Sequence, residues 1–347
     1  MSVPARPTDV VWDITYACPL RCTHCYSESG RRPSRQLGLD DLYRVTDALI
    51  SLRPGWITLA GGEPLVVPGI LDLARRIRAA GISVALYTAG WSMDSALAAD
   101  LLTSVDRVNV SVDGATATVH DRIRGRSGSF TRATATLTRL DHEAARLRAA
   151  GSRVAEFGVD CTVVRSNFDQ LDALCTWATR QFPGLGFLWF GAAMPIGLAS
   201  RPSFVDAELL TDELADELTE PATTDRLRAL APSTVTVGVT DNRLLQVHPE
   251  HIARGLYPFM QVEPDGAVRA MPIYEGTVGS LLTEDPTVLW RRSADRWTDP
   301  VVTGALGPAR TMREWAEATR VIDQHFGDPL VRSRIERRPA YLAQTAR

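Results

Sequence analysis

Between residues 10 and 190 short β-rich runs and amphipathic helical runs take turns, and this alternation limits the fold more than any other feature of the chain. Residues 10–16 alternate as a strand, and Asp40 and Asp41 can cap a helix that carries Leu42, Val45, Leu49 and Ile50 near one stripe and stops before Pro54. Further strands are expected over 56–60, 82–88, 105–112, 154–164 and 186–190, separated by helices over 68–80, 93–103, 131–150 and 167–182. Gly81 and Gly151 end two of these helices. Strands that alternate with helices build parallel βα units of one hand, with functional loops at the strand carboxyl ends. Six such units predict an α/β fold in the form of a partial barrel, open on one side.

Strand alternation also sorts residues by face. Val108, Val110 and Val112 oppose Asn109, Ser111 and Asp113, while Phe157, Val159, Cys161 and Val163 oppose Gly158, Asp160, Thr162 and Val164. A barrel wrapped in helices has an apolar outer face. The polar sets Asp13/Thr15, Asn109/Ser111 and Asp160/Thr162 are therefore expected inside, where they suit a bound ligand better than a filled core.

The first strand runs into Ala17-Cys18-Pro19-Leu20-Arg21-Cys22-Thr23-His24-Cys25-Tyr26, which places three of the five cysteines within eight residues. Thiolates at such spacing can wrap one face of an iron-sulfur cubane, and three local ligands leave one iron open to a substrate or cofactor. The rival reading is a structural zinc loop with His24 or a distant Cys as fourth ligand, in a non-catalytic protein. It lacks the second ligand pair that zinc loops usually bring.

Cys18-x3-Cys22-x2-Cys25, with His24 before the last Cys, resembles the loop of the radical S-adenosylmethionine (radical SAM) superfamily. The resemblance implies a [4Fe-4S] cluster on Cys18, Cys22 and Cys25, S-adenosyl-L-methionine on the open iron, and His24 near the adenine. Gly61-Gly62-Glu63-Pro64, after the second strand, resembles the Gly-Gly-Glu motif that holds the methionine amino group; glycines permit close backbone approach and a carboxylate suits an ammonium. Ser111-Val112-Asp113-Gly114 and the later Ile123-Arg124-Gly125 resemble the fourth-strand region of the peptide-modifying and cofactor-maturing branch. That implies cofactor contacts from Ser111 and Arg124. Tyr87-Thr88-Ala89-Gly90 departs from the usual Thr-Asn-Gly.

After Pro195 the pattern changes to an acidic helix over 206–220, a strand over 234–239, a hairpin turning on Asp265-Gly266, and helical stretches near 286–292 and 311–325. Residues 264–272 and 276–281 resemble the start of a SPASM or twitch domain, with Met271 where a Cys is usual and no Cys after Cys175. One cluster is thus expected, with the C-terminal region kept as a lid or substrate platform. The division follows as a tail over 1–9, a partial (β/α)6 radical SAM barrel over 10–232, a smaller, degenerate α+β SPASM/twitch-like region over 233–331 and a solvated Arg-rich tail over 332–347. Cys175 falls with Leu171, Leu174 and Ala178 at helical spacing and reads as core. Cys161 is a candidate hydrogen-atom donor to a substrate radical, although its face is the apolar one.

All 38 basic residues are Arg, and the net charge of -3 provides no field for nucleic acid. The longest apolar stretch, 187–199, is too short for a bilayer and contains Pro195, and 1–9 has no signal-peptide core, so a cytoplasmic enzyme is expected. The expected activity is reductive cleavage of S-adenosylmethionine and hydrogen abstraction from a peptide or specialised metabolite. Crosslinking, epimerisation or related maturation would follow, with redox-neutral outcomes or simple bond formation favoured. Dehydrogenation or decarboxylation of a sugar or nucleoside natural product is the alternative. An electron donor such as flavodoxin or ferredoxin is an expected partner, and since no leader-binding module precedes residue 10, peptide recognition is expected to need the C-terminal region or a separate leader-binding protein.

Overall fold

The computed structural model describes residues 4–257 and 259–342. Its first half follows the alternation: β1 (Asp9–Thr15), α1 (Leu39–Ser51), β2 (Trp56–Gly61), α2 (Ile70–Ala79), β3 (Ser83–Thr88), α3 (Ser95–Ser104), β4 (Arg107–Ser111), α4 (Ala117–Arg124), α5 (Ser129–Ala149), β5 (Glu156–Val163), α6 (Leu171–Gln181) and β6 (Phe187–Ala192). Four more strands follow, β7 (Thr236–Thr240), β8 (Met260–Val262), β9 (Ala267–Arg269) and β10 (Thr277–Ser280).

All ten strands form one open sheet in the order β10-β9-β8-β1-β2-β3-β4-β5-β6-β7. The pairings from β1 to β7 are parallel, β8 lies parallel to β1 on its other side, and β9 and β10 complete an antiparallel edge. The six expected strands β1 to β6 are all present and parallel, and the parallel run continues past them into β7 at one end and β8 at the other. The strand read at 234–239 as part of the C-terminal region pairs with β6, Leu188 opposite Val237 and Phe190 opposite Val239. One sheet thus crosses the expected boundary at 232/233. Periodicity marks a strand without naming its neighbour, so this pairing was not legible.

The outer face carries the core against the helices: Val10, Trp12 and Ile14 of β1, Val108 and Val110 of β4, and Phe157, Val159, Cys161 and Val163 of β5 are all fully buried. Caps and breakers set the helix bounds. Asp94 accepts from Leu97 N at 2.8 Å to open α3, and α5 begins after Gly128 in the left-handed region. The expected helix over 206–220 is divided into Pro202–Ala207 and Asp212–Thr219, the second capped by Thr211. The eight-residue α4 was not foreseen, because only His120, Ile123 and Arg124 of its residues are buried and they make no apolar stripe.

Of the tail expected over 332–347, residues 343–347 lie outside the described residues, and the described part is anchored to the body of the fold. A helix spans Pro329–Glu336, Arg334 and Arg338 each hold the buried Glu28 at 3.0 and 2.8 Å, and Arg201 donates to Pro339 O at 2.8 Å. In the SPASM-like stretch Met271 is buried, and Arg269, fully buried, pairs with Glu263 at 3.2 Å.

Candidate functional site

A cavity of about 640 Å³ fills the inner side of the sheet. Alternate residues of neighbouring strands line it, among them Thr58 and Ala60 of β2, Asn109 and Ser111 of β4, Asp160 and Thr162 of β5, and Trp189 and Gly191 of β6. The polar rows of β4 and β5 face inward as their alternation requires. Asp13 and Thr15 are instead covered. Asp13 accepts from Tyr26 Oη at 2.5 Å and Gln261 Nε2 at 2.9 Å, and Thr15 Oγ1 accepts from Ala17 N at 3.0 Å.

Cys18, Cys22 and Cys25 are free, half-buried and on the cavity wall. Their loop is shaped by α4. Arg21 N donates to Arg124 O at 3.1 Å and Thr23 N to Ile123 O at 2.9 Å, so the orphan carbonyls at that helix end bind the ligand loop. Gly125 follows at φ 66°, and a Cβ there would lie 2.2 Å from Arg21 O. The sulfurs already have donors: Leu20 N at 3.4 Å from Cys18 Sγ and Arg124 Nη1 at 3.8 Å from Cys22 Sγ.

Burial pushes the Cys18 thiol up to about 12, helped by the neighbouring Cys22, and burial pushes Cys22 up to about 11 against the pull of Arg124. Three thiolates here need a cationic centre to stabilise them together. Among the described residues no three His, Cys, Asp or Glu converge as ligands of a single ion must. Three thiols that each bind a different iron of one cubane need no such point, so the donor set fits a [4Fe-4S] cluster.

Asp113, just past β4, ties the loop together. Its carboxylate pairs with Arg124 Nε at 2.7 Å, accepts from Arg124 Nη2 at 2.9 Å and Thr162 N at 2.9 Å, and lies 3.0 Å from His24 Nε2. Burial opposes its charge, but Arg124 and then His24 hold it well below the usual carboxylate range. Burial and Arg124 push His120 down to about 4, and the neutral ring accepts from Asp113 N through Nδ1 at 3.1 Å. His24 and Arg124 both line the cavity, as does Ser111. Asp113 escaped the sequence reading as a site residue because its partners lie 89 and 11 residues away.

Gly61 and Gly62 reach the cavity from the end of β2 and also pack on the cysteine loop. Gly61 has φ 110°, and a Cβ on Gly62 would lie 2.1 Å from Ala17 O. Glu63 is buried and is not on the cavity wall. Its carboxylate accepts from Thr88 Oγ1 at 2.9 Å, Ala89 N at 2.8 Å and Leu65 N at 3.3 Å, so it fixes the Thr88-Ala89 segment that does line the cavity. Burial raises its pKa and these bonds oppose the rise.

Cys161 is not brought to the cavity. Strand alternation turns it to the helices, where Asn167 Nδ2 lies 3.8 Å from its sulfur. Cys175 is buried, its thiol donating to Leu227 O at 3.3 Å. One inward acid was unforeseen in its state: Asp160, half-buried on the cavity wall and bonded to Tyr87 Oη at 3.1 Å, is pushed up to about 6 by burial.

Residues 12–159, which carry the cysteine loop, the Gly-Gly-Glu turn and the Asp113 cluster, match the Radical SAM superfamily. Residues 12–159 are thus a radical SAM domain, and the chain is similar to radical SAM enzymes. The cofactors of the superfamily are a [4Fe-4S] cluster and S-adenosylmethionine. Among its radical SAM relatives, mycofactocin maturase MftC of Mycolicibacterium smegmatis is 36% identical over 208 residues, covering 59% of this chain and 48% of the relative. The PqqA peptide cyclase of Ruegeria pomeroyi is 30% identical over 174 residues, covering 50% of this chain and 44% of the relative. The chain spans about half the length of these curated relatives. In fold it resembles SuiB of Streptococcus suis bound to precursor peptide SuiA, with TM-score 0.64, 13% identity, and coverage of 98% of this chain and 75% of that one. It also resembles anSMEcpe with bound AdoMet, with TM-score 0.56, 16% identity, and coverage of 83% and 82%.

Proposed function

We propose that this chain is a radical SAM enzyme that matures a peptide. The observation that carries the proposal is the wall of three half-buried thiols beside the Gly61-Gly62 backbone, inside a cavity large enough for a cofactor and part of a substrate. A peptide is favoured because MftC, the PqqA peptide cyclase and SuiB, which was solved with a precursor peptide, stand among the similar proteins. A single cluster follows from the lack of any Cys beyond Cys175. Residues 10–232 would form the radical SAM unit, with 233–331 as substrate platform, in the cytoplasm.

When bound, the cluster and S-adenosylmethionine supply a 5'-deoxyadenosyl radical that abstracts hydrogen from carbon. The chain's own residues prepare that event. Cys18, Cys22 and Cys25 would ligate the cluster, and Arg124, held by Asp113, keeps a cation against the Cys22 sulfur and can meet the cofactor carboxylate. Asp113 also orients His24, which closes the same wall. Gly61 and Gly62 admit the cofactor close to backbone, Ser111 offers a hydroxyl, and Glu63 acts through the Thr88-Ala89 segment. Asp160 and Tyr87 place polar groups at the inner wall, where substrate would lie.

Anaerobic reconstitution tests the enzyme reading. About four irons and four sulfides per chain with reductive release of 5'-deoxyadenosine are expected, whereas one tightly held zinc and no cleavage would refute it. For the substrate, peptides encoded beside the gene should change mass or retention with the reconstituted protein. Turnover of a sugar or nucleoside with none of any peptide would overturn the peptide assignment alone.

A further inference from the structure

Arginines grip the backbone of the cysteine loop at five consecutive carbonyls. Arg21 donates to Cys18 O at 3.0 Å and Leu20 O at 2.7 Å, Arg126 to Pro19 O at 2.5 Å, and Arg31 to Cys22 O at 3.2 Å and to Arg21 O. The Arg126 guanidinium also stacks on Trp91 at 4.0 Å. Arg132 stacks on the same ring at 4.2 Å and donates to Trp91 O at 3.1 Å. Arg21, Arg31, Arg126 and Arg132 are exposed.

The charge on this collar is uncompensated. Some exposed arginines pair with carboxylates, as Arg75 does with Asp72 at 2.6 Å and Arg76 with Asp47 at 2.6 Å, while others such as Arg53, Arg139 and Arg291 stand singly among the described residues; the collar differs in gathering four unpaired guanidiniums at one loop. Among the described residues none of the four collar arginines has a carboxylate within ion-pair distance, in a chain whose net charge is -3. The carboxylate that α4 offers, Asp121, is taken by Gly128 N, Phe130 N and Ser129 Oγ.

We propose that the collar of Arg21 and Arg31 on the cysteine loop and Arg126 and Arg132 on Trp91 is the docking surface for an acidic electron-carrier protein that reduces the group held by Cys18, Cys22 and Cys25. The proposal rests on the reading of the loop as a redox-cluster site and adds the place where the electron donor expected from the sequence docks. Unpaired guanidiniums steer an oppositely charged protein, and this steering sets encounter rate and orientation. The collar binds the same backbone that carries the thiols, so a carrier seated there lies across one thickness of loop from its target. None of the collar residues lines the cavity, which separates this surface from the one a substrate must occupy. The transfer makes and breaks no bond: the carrier's flavin or iron-sulfur centre is oxidised by one electron and the acceptor in the loop is reduced by one.

The test uses the reconstituted full chain and an acidic flavodoxin, with affinity read from flavin fluorescence at about 0.05 M and about 0.3 M salt. Arg132→Glu, which touches only Trp91, and the double change with Arg126→Gln should weaken binding on the order of tenfold at low salt and flatten its salt dependence. Arg291→Glu, an exposed arginine of the helix Pro286–Arg296, is the charge-matched control and should bind as the parent does. Cleavage of S-adenosylmethionine driven by dithionite should be unchanged in Arg132→Glu while cleavage driven by flavodoxin falls. Equal weakening by Arg132→Glu and Arg291→Glu, or binding indifferent to salt, would overturn the proposal. So would a poly-glutamate peptide that binds with the same arginine dependence when flavodoxin does not bind. A parent protein that binds flavodoxin through the collar but never cleaves S-adenosylmethionine would refute the enzyme reading and leave the docking surface standing.

Discussion

Replacing Asp113 by Asn removes the charge that holds Arg124 at 2.7 Å and His24 at 3.0 Å, leaving a buried guanidinium beside the Cys22 sulfur. Breaking a buried pair in this way costs about 3–5 kcal/mol. Urea unfolding should register that loss, and the iron retained after reconstitution should fall with it. Asp160 behaves in the opposite sense. Its folded pKa of about 6 lies above the ordinary 3.8, so the native state keeps a proton that the unfolded chain has released. Stability should decline as pH rises between those values and carry the full penalty above about 6, in total about 3 kcal/mol. Comparing the apoprotein with Asp160→Asn from pH 5 to 7.5 checks this: the variant should lack that part of the decline. Glu63→Gln sets an amide N–H against the backbone N–H of either Ala89 or Leu65, where Glu63 accepts from both. Equilibrium dialysis should show weaker S-adenosylmethionine binding with iron content intact; the reverse pattern would contradict its role in shaping the cofactor side.

Two elements do more for the site than their sequences announce. The carboxyl end of α4 serves as a mould for the cysteine loop, and Gly125 is where the two backbones touch. Gly125→Ala places a Cβ 2.2 Å from Arg21 O in a left-handed conformation, and should cost at least about 1 kcal/mol. Iron incorporation should suffer more than the far-ultraviolet circular dichroism, because the strain falls on the loop. The other element is β4, whose alternation was readable: Asn109 and Ser111 point inward with Val108 and Val110 outward. The same rule removes Cys161 from the cavity on β5, since one residue of register separates it from Asp160.

Across the whole molecule the chain's two ends of action meet. Glu28, three residues past Cys25, is buried and receives Arg334 and Arg338 from more than 300 residues later. Arg201 joins them by bonding Thr23 O at 2.8 Å and Pro339 O at 2.8 Å. Changing both Arg334 and Arg338 to Ala leaves Glu28 buried without these cations, a loss of about 3–5 kcal/mol. Limited proteolysis should then cut beyond residue 329 far faster than in the parent, while a parent equally labile there would contradict the strap. The Arg269–Glu263 pair at 3.2 Å cross-links the far edge of the same sheet.

Local pattern by itself determined the alternation of strands and helices, the inward polar rows of β4 and β5, the cysteine loop after β1 and the Gly-Gly-Glu turn after β2, because each depends on spacing within a few residues. The tertiary structure decided whatever depends on distant partners. It made β7 the seventh parallel strand by setting it beside β6, and covered Asp13 with Tyr26 and Gln261. It turned Glu63 toward Thr88 and Ala89, gathered His24, Asp113 and Arg124 into one buried cluster, and converted an Arg-rich tail into a strap. Spacing along the chain sets which way a side chain points. Only the folded backbone sets what it meets, since a buried charge takes whichever partner the packing brings within reach.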